Sequence, residues 1–221
     1  MRKVLLAGIA ALLMSSPTHA ASISVTGNPL SDTHAIYIRG LIETDDLQKF
    51  KQVIEENKIT RAVVILDSPG GNVRPGIGIG NTIKEMGFMT FVPEGNKCNS
   101  MCASIWLAGR PRLLEENSKI GFHAAAALDT DNSGRPPGII RNSGWGDSLI
   151  GAYYARLGFD DWAITYMTTM PHTGMKLASS EELKKMGFQV TILPANIGPL
   201  DYLNMTPPLF EKEIVPWTVC K

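Results

Sequence analysis

RAVVILDSPGGN, residues 61–72, is the stretch from which the rest of the chain is read. Residues 61–66 form a short apolar run rich in β-branched side chains, which suits a strand buried on both faces, as in a parallel sheet. The run passes directly into Asp67-Ser68-Pro69-Gly70-Gly71-Asn72. That hexapeptide predicts a tight loop, because proline presets one backbone angle and paired glycines permit angles that other residues avoid. A glycine pair also lets the main chain approach a ligand closely and aim N–H groups at it.

Upstream, residues 35–42 (AIYIRGLI) read as a strand. Thr44 can cap a helix over 45–57, with Asp45 and Asp46 in its first turn and Leu47, Phe50, Val53 and Ile54 on one face. Downstream, a helix over 76–85 ends at Gly87, and 88–92 is the next strand. Residues 96–99 are polar loop, and 100–107 open an apolar helix. Residues 112–114 and 119–122 read as two strands joined by the turn at 115–118. Residues 124–146 are rich in Gly, Pro, Asn and Ser and lack periodicity, so they are expected to form a mobile lid beside any cleft. Asp147 is expected to cap a helix to 157, Asp160 or Asp161 another to 169, and Ser179 with Glu182 a short third one ending at Gly187. Residues 189–193 are the last expected strand, and the tail after Pro194 reads as irregular. Strands alternating with helices predict an α/β fold with parallel pairing.

The chain has 221 residues, a length that suits one domain. Its 21 basic and 21 acidic residues balance, which argues against a nucleic-acid partner. Residues 1–20 read as a signal peptide: Arg2 and Lys3, then an apolar run over 4–14 that is short for a membrane span, then a break at 15–17 and a small residue at Ala20. The expected mature chain is a single domain over 21–221 with no membrane span. It keeps Cys98, Cys102 and Cys220, and an odd count leaves a free thiol or an intermolecular bridge. No cysteine or histidine cluster has metal-ligand spacing, and the glycines over 76–80 lack the phosphate-loop lysine, so neither metal nor nucleotide cofactor is expected.

Two further residues can carry chemistry. Ser100 stands at a helix start, where a serine is commonly a cap, but where N–H groups and the helix dipole also favour an anion. His123 follows the strand-like 119–122; imidazole titrates near neutrality and is the commonest partner of a serine nucleophile. Ser104, one turn further along, reads as a packing residue.

Taken in order, Asp67-Ser68-Pro69-Gly70-Gly71-Asn72-Val73, Asn99-Ser100-Met101-Cys102-Ala103, Asn117-Ser118-Lys119-Ile120-Gly121-Phe122-His123 and the segment over 179–187 (SSEELKKMG) resemble four motifs of the Clp protease proteolytic subunit and its relatives, including signal peptide peptidase A. The resemblance spans about residues 36–190. It implies a Clp-protease/crotonase-like α/β fold, a repeated β-β-α superhelix with largely parallel sheets. It also implies a serine peptidase that acts on peptides or proteins without a cofactor and can assemble with copies of itself. Ser100 would be the nucleophile and His123 the base, within or near hydrogen-bond reach of each other. Backbone N–H groups of Gly70 or Gly71 and of Met101 would form the oxyanion hole.

The family's histidine-orienting aspartate has no counterpart, because the matching position is Met175. A carbonyl or His172 could orient His123, Asp160 could reach in, or the chain could be a non-catalytic peptide-binding or scaffold relative. An acyl-CoA-handling crotonase fits poorly with the Ser/His pair and the export signal. Cys98 and Cys102 flank Ser100 where the family has small residues, and a Cys98–Cys102 bridge is expected to pin that turn, leaving Cys220 free. The competing arrangement ties Cys220 to one of them.

Overall fold

The computed structural model describes residues 20–27, 33–128, 140–194 and 196–205. In chain order the elements are β1 (Ser22–Gly27), β2 (Thr33–Arg39), α1 (Asp46–Glu56), β3 (Arg61–Asp67), α2 (Val73–Met86), β4 (Met89–Val92), α3 (Met101–Trp106), β5 (Arg112–Leu114), β6 (Lys119–Phe122), β7 (Ala126–Leu128), β8 (Ile140–Asn142), α4 (Gly144–Leu157), α5 (Asp161–Thr168), β9 (Lys176–Ser179), α6 (Ser180–Lys185), β10 (Thr191–Ile192) and α7 (Pro199–Met205). Six strands form the central sheet in the order β1-β2-β3-β4-β5-β10. Only β1 runs antiparallel to its neighbour; the other pairings are parallel. The protein is a mixed α/β fold with a mostly parallel central sheet.

β3 lies at the heart of this sheet, and its residues 62–66 are all buried. Side chains alternate across a strand. Val63 and Ile65 accordingly pack on one face with Ala35, Met89, Phe91 and Leu113, under Leu203 of α7. Val64 and Leu66 face the larger core with Ile36, Ile38, Phe50 of α1, Ile79 and Ile83 of α2 and Trp106 of α3. Two small antiparallel ribbons, β6–β9 and β7–β8, stand apart from the main sheet.

The two strands expected on either side of the turn over 115–118 form as β5 and β6; β5 joins the main sheet between β4 and β10, and β6 meets β9. Several other local expectations differ from what forms. Residues 124–146 were expected to be loop, yet β7 and β8 form a ribbon there and α4 begins at Gly144; residues 129–139 of the expected lid lie outside the described residues. Ser143, not Asp147, caps α4, accepting the Gly146 N–H at 3.1 Å. Thr44 does not cap α1, whose cap position is Asp45; Asp46, fully buried, takes the Glu43 N–H and the Lys49 ammonium, each at 2.7 Å. The tail contains α7, which Pro199 opens; proline suits a first helical position because its missing N–H has no intrahelical partner there. β1, with Ile23 and Val25 turned to the core between Ser22, Ser24 and Thr26, was not expected. Asp160 does cap α5, and Ser179 with Glu182 forms the expected capping box.

The signal peptide reading falls on residues that, apart from Ala20, lie outside the described ones, as does Cys220. Among the described residues no helix is long and apolar enough to cross a membrane, and no cluster of three potential metal ligands occurs.

Candidate active site

Main-chain hydrogen bonds bring the first three motifs together. After β3, the Ser68 N–H donates to Lys97 O at 2.6 Å, and the Asn99 N–H to Ser68 O at 3.2 Å. The next step links residues 98–100 to β6: the Gly121 N–H donates to Cys98 O at 2.9 Å, and the Ser100 N–H to Gly121 O at 2.7 Å. On the opposite flank, the Ile42 N–H donates to Gly70 O and the Asn72 N–H to Ile42 O, both at 2.8 Å. Glycine loop, serine turn and the strand leading to His123 are therefore laced side by side.

Ser100 adopts φ 56° and ψ −123°, and its side chain makes no capping bond. The cap reading of this serine does not hold. A non-glycine residue with this backbone is strained, by roughly 1–3 kcal/mol, and is kept only where its surroundings fix it. Here its N–H is held by Gly121 O, and its carbonyl accepts the Ser104 N–H at 3.2 Å. Cys98 and Cys102 form a disulfide across it, with α-carbons 5.1 Å apart, and both are fully buried. A serine on a sharp turn from an extended segment into a helix is the arrangement that presents a nucleophilic Oγ.

The glycine pair fits against this turn. A β-carbon on Gly70 would lie 2.7 Å from Ser100 Cβ and 2.8 Å from Asn99 O, and one on Gly71 would collide with the main chain of Ile42. Gly70 and Gly71 have φ of 108° and 142°, so glycine is required by both conformation and space. The Gly70 N–H is already engaged, donating to Ser68 Oγ at 3.1 Å. Among the described residues the N–H groups of Gly71 and Met101 make no hydrogen bond. These are the two donors left open beside Ser100.

Besides the disulfide and the open donors, the site has a half-buried imidazole. His123 stands one residue beyond β6. Its Nδ1 is buried without a hydrogen-bond partner. Burial holds the imidazole below its ordinary value; the Ala124 backbone opposes this without forming an aligned hydrogen bond, His172 adds to it, and Asp147 opposes it. Among the described residues no hydrogen bond joins Ser100 Oγ to His123, although their main chains are linked through Gly121; catalytic hydrogen bonds commonly tighten only once substrate is bound.

No family model matches the sequence, and no curated protein matches it. Among solved structures the chain is similar to a serine-to-alanine mutant of the 1510-N membrane-bound stomatin-specific protease, with a TM-score of 0.55 and 18% identity, over 73% of this chain and 79% of that one. The chain shares its fold with a protease.

β6 and β9 bring Met175, the residue before β9, next to the strand that leads to His123. The ladder ends where Phe122 pairs with Lys176, and beyond it the Ala124 N–H donates to Met170 O at 2.7 Å. The Met175 thioether lies beside Gly121, its sulfur 2.7 Å from where a β-carbon there would stand. Neither acid nor histidine substitutes at Nδ1. Asp160 is occupied as the α5 cap, accepting the Ala163 N–H at 2.8 Å. His172 is tied to Asn142, whose Oδ1 lies 2.6 Å from its Nδ1. Among the influences on the His123 ring the one from an acid comes from Asp147, and it is smaller than those of burial, the Ala124 backbone and His172; the sequence reading had assigned Asp147 only to a helix cap. A cavity of about 330 Å³ adjoins the glycine loop, lined in part by Gly71, Asn72, Arg74, Ala126 and Trp145, with the Arg74 guanidinium 4.9 Å above the Trp145 ring.

Proposed function

We propose that this protein is an exported serine hydrolase, a peptidase of the Clp protease/signal peptide peptidase A type with its β-β-α superhelix, acting on peptides or proteins. In this reading residues 1–20 are removed and 21–221 form one domain. The observation that carries it is the strained Ser100 turn, fixed by Gly121 and packed against Gly70, with open N–H groups of Gly71 and Met101 beside it. Ser100 Oγ attacks the substrate carbonyl carbon as His123 takes its proton. The carbonyl oxygen becomes an oxyanion received by the Gly71 and Met101 N–H groups. Collapse of the tetrahedral intermediate breaks the scissile bond as the leaving amine takes the proton from His123, and water then releases the acyl group by the same steps. A base whose pKa lies below the ordinary imidazole value is neutral at pH 7 and ready to accept a proton. The buried Cys98–Cys102 bridge supports export, since disulfides persist in oxidising compartments. Assembly with copies of itself belongs to this reading through the family resemblance.

The unpartnered His123 Nδ1 favours a second reading, a peptide-binding relative that keeps the cleft without the chemistry. A fluorophosphonate probe separates the two. Labelling of the folded mature protein at Ser100, absent in Ser100→Ala, is the expected result; a folded, unlabelled wild type would leave the binding reading.

Met175→Asp supplies an acid just before β9, at a side chain that lies beside Gly121, two residues before His123. Acylation by the probe is expected to accelerate on the order of tenfold or more, since a triad aspartate can contribute up to about 10⁴. The added anion stabilises the imidazolium, so the acid limb of the rate profile is expected to move to higher pH. Unchanged rate and limb would show that this position does not address the ring.

A further inference from the structure

We propose that Asp147 is the positioning acid of this site, clamping the segment that carries His123 and supplying the negative charge that Met175 does not. The proposal rests on the Ser100–His123 reading. Its geometry is that of a clamp. Asp147 Oδ1 accepts the Ala125 N–H at 2.6 Å, two residues beyond His123. The Ala125 carbonyl in turn accepts the Ser143 N–H at 2.7 Å, so this one residue is bound on both sides to the start of α4. Gly146 permits the approach: a β-carbon there would lie 2.6 Å from Ala125 Cβ. The strand leaving His123 is thus fastened to the first turn of α4, and Asp147 is the charged member of the fastening.

Asp147 is free for this role because the cap of α4 is filled by Ser143. Its second carboxylate oxygen makes no hydrogen bond among the described residues, while His123 Nδ1 is buried and unpartnered. Two titratable groups act on the ring, with opposite sign. His172, from the turn before β9, disfavours the imidazolium, and Asp147, from α4, favours it. During acyl transfer His123 becomes an imidazolium, and a nearby anion stabilises that form. Asp147 touches neither substrate nor Ser100; it acts through His123.

The test uses Asp147→Asn, Asp147→Glu and Asp147→Ala in the full mature chain. Asparagine keeps an acceptor oxygen for the Ala125 N–H and removes only the charge. For Asp147→Asn, the rate of acylation by the fluorophosphonate is expected to fall on the order of tenfold, with half-saturation little changed, the acid limb moved to lower pH and the melting temperature retained. Glutamate is expected to restore part of the rate. In parallel, the His123 imidazole is titrated by NMR, a readout that needs no turnover. A lower His123 pKa in Asp147→Asn is expected. An unaltered pKa would overturn the proposal, even if the wild type proved unreactive. Wild-type kinetics in Asp147→Asn beside a lowered melting temperature in Asp147→Ala would reduce Asp147 to a backbone clamp and overturn it as well. An unlabelled wild type with the expected NMR shift would instead sink the hydrolase reading and leave the coupling of Asp147 to His123 standing.

Discussion

Replacing Ser100 with glycine is expected to silence hydrolysis and, at the same time, to stabilise the fold. The serine holds φ 56° and ψ −123°, a conformation that costs a side-chain-bearing residue roughly 1–3 kcal/mol and glycine far less. Against this stands the greater flexibility of glycine in the unfolded chain, about 0.5–1 kcal/mol. A net gain of about 1 kcal/mol would raise the melting temperature by about 2–4 °C for a chain of this size. Ser100→Ala keeps the β-carbon and so keeps the strain; it is expected to be equally inactive without that gain. Activity should fall by at least about 10³ in both, because loss of a nucleophile removes the acyl-enzyme route. Thermal melts paired with probe labelling check both halves. A Ser100→Gly protein that melts below Ser100→Ala would show that the turn is not strained, and a reactive Ser100→Ala would remove the serine from the mechanism.

Gly71→Ala is expected to have the next largest effect. Its N–H is one of the two open donors beside Ser100, and a β-carbon at this position has no room, standing 2.7 Å from Ile42 N and 2.8 Å from Ile42 C. The loop must shift to admit it, and the donor shifts with it. Loss of one oxyanion donor costs about 10²–10³ in rate, and that fall is expected in the acylation step of a variant that still melts cooperatively. Gly70→Ala serves as the comparison. Its N–H is already engaged by Ser68, so its damage comes from pushing Ser100 Cβ and Asn99 O aside. A folded Gly71→Ala that acylates at the wild-type rate would move the oxyanion site elsewhere.

What the sequence made legible was local. The apolar run of β3 told its double burial, and the Ser179–Glu182 spacing told its cap, because each depends on residues a few positions apart. The order of the motifs pointed to Ser100 and His123, but not to the geometry that relates them. Residues 68, 98 and 121 meet through main-chain bonds, which leave no side-chain signature. The role proposed for Asp147 was hidden for a similar reason: an acid near a helix start reads as a cap, and only the tertiary structure shows that Ser143 has taken that place. The turn over 115–118 was recognised, yet whether two strands part or pair beyond a turn is decided by what each meets afterwards. α7 escaped notice because nearby prolines read as irregularity, whereas its apolar residues are gathered only by the sheet face they cover.

The lacing of Ser68, Cys98, Asn99, Gly121, Gly70 and Ile42 has a consequence for how such a protein changes over generations. Its bonds run between peptide groups, which every residue type possesses, proline lacking only the donor. Substitution along these segments can therefore alter almost every side chain without moving the frame, provided glycine remains where a β-carbon would collide. A fold shared at 18% identity is what such a frame permits.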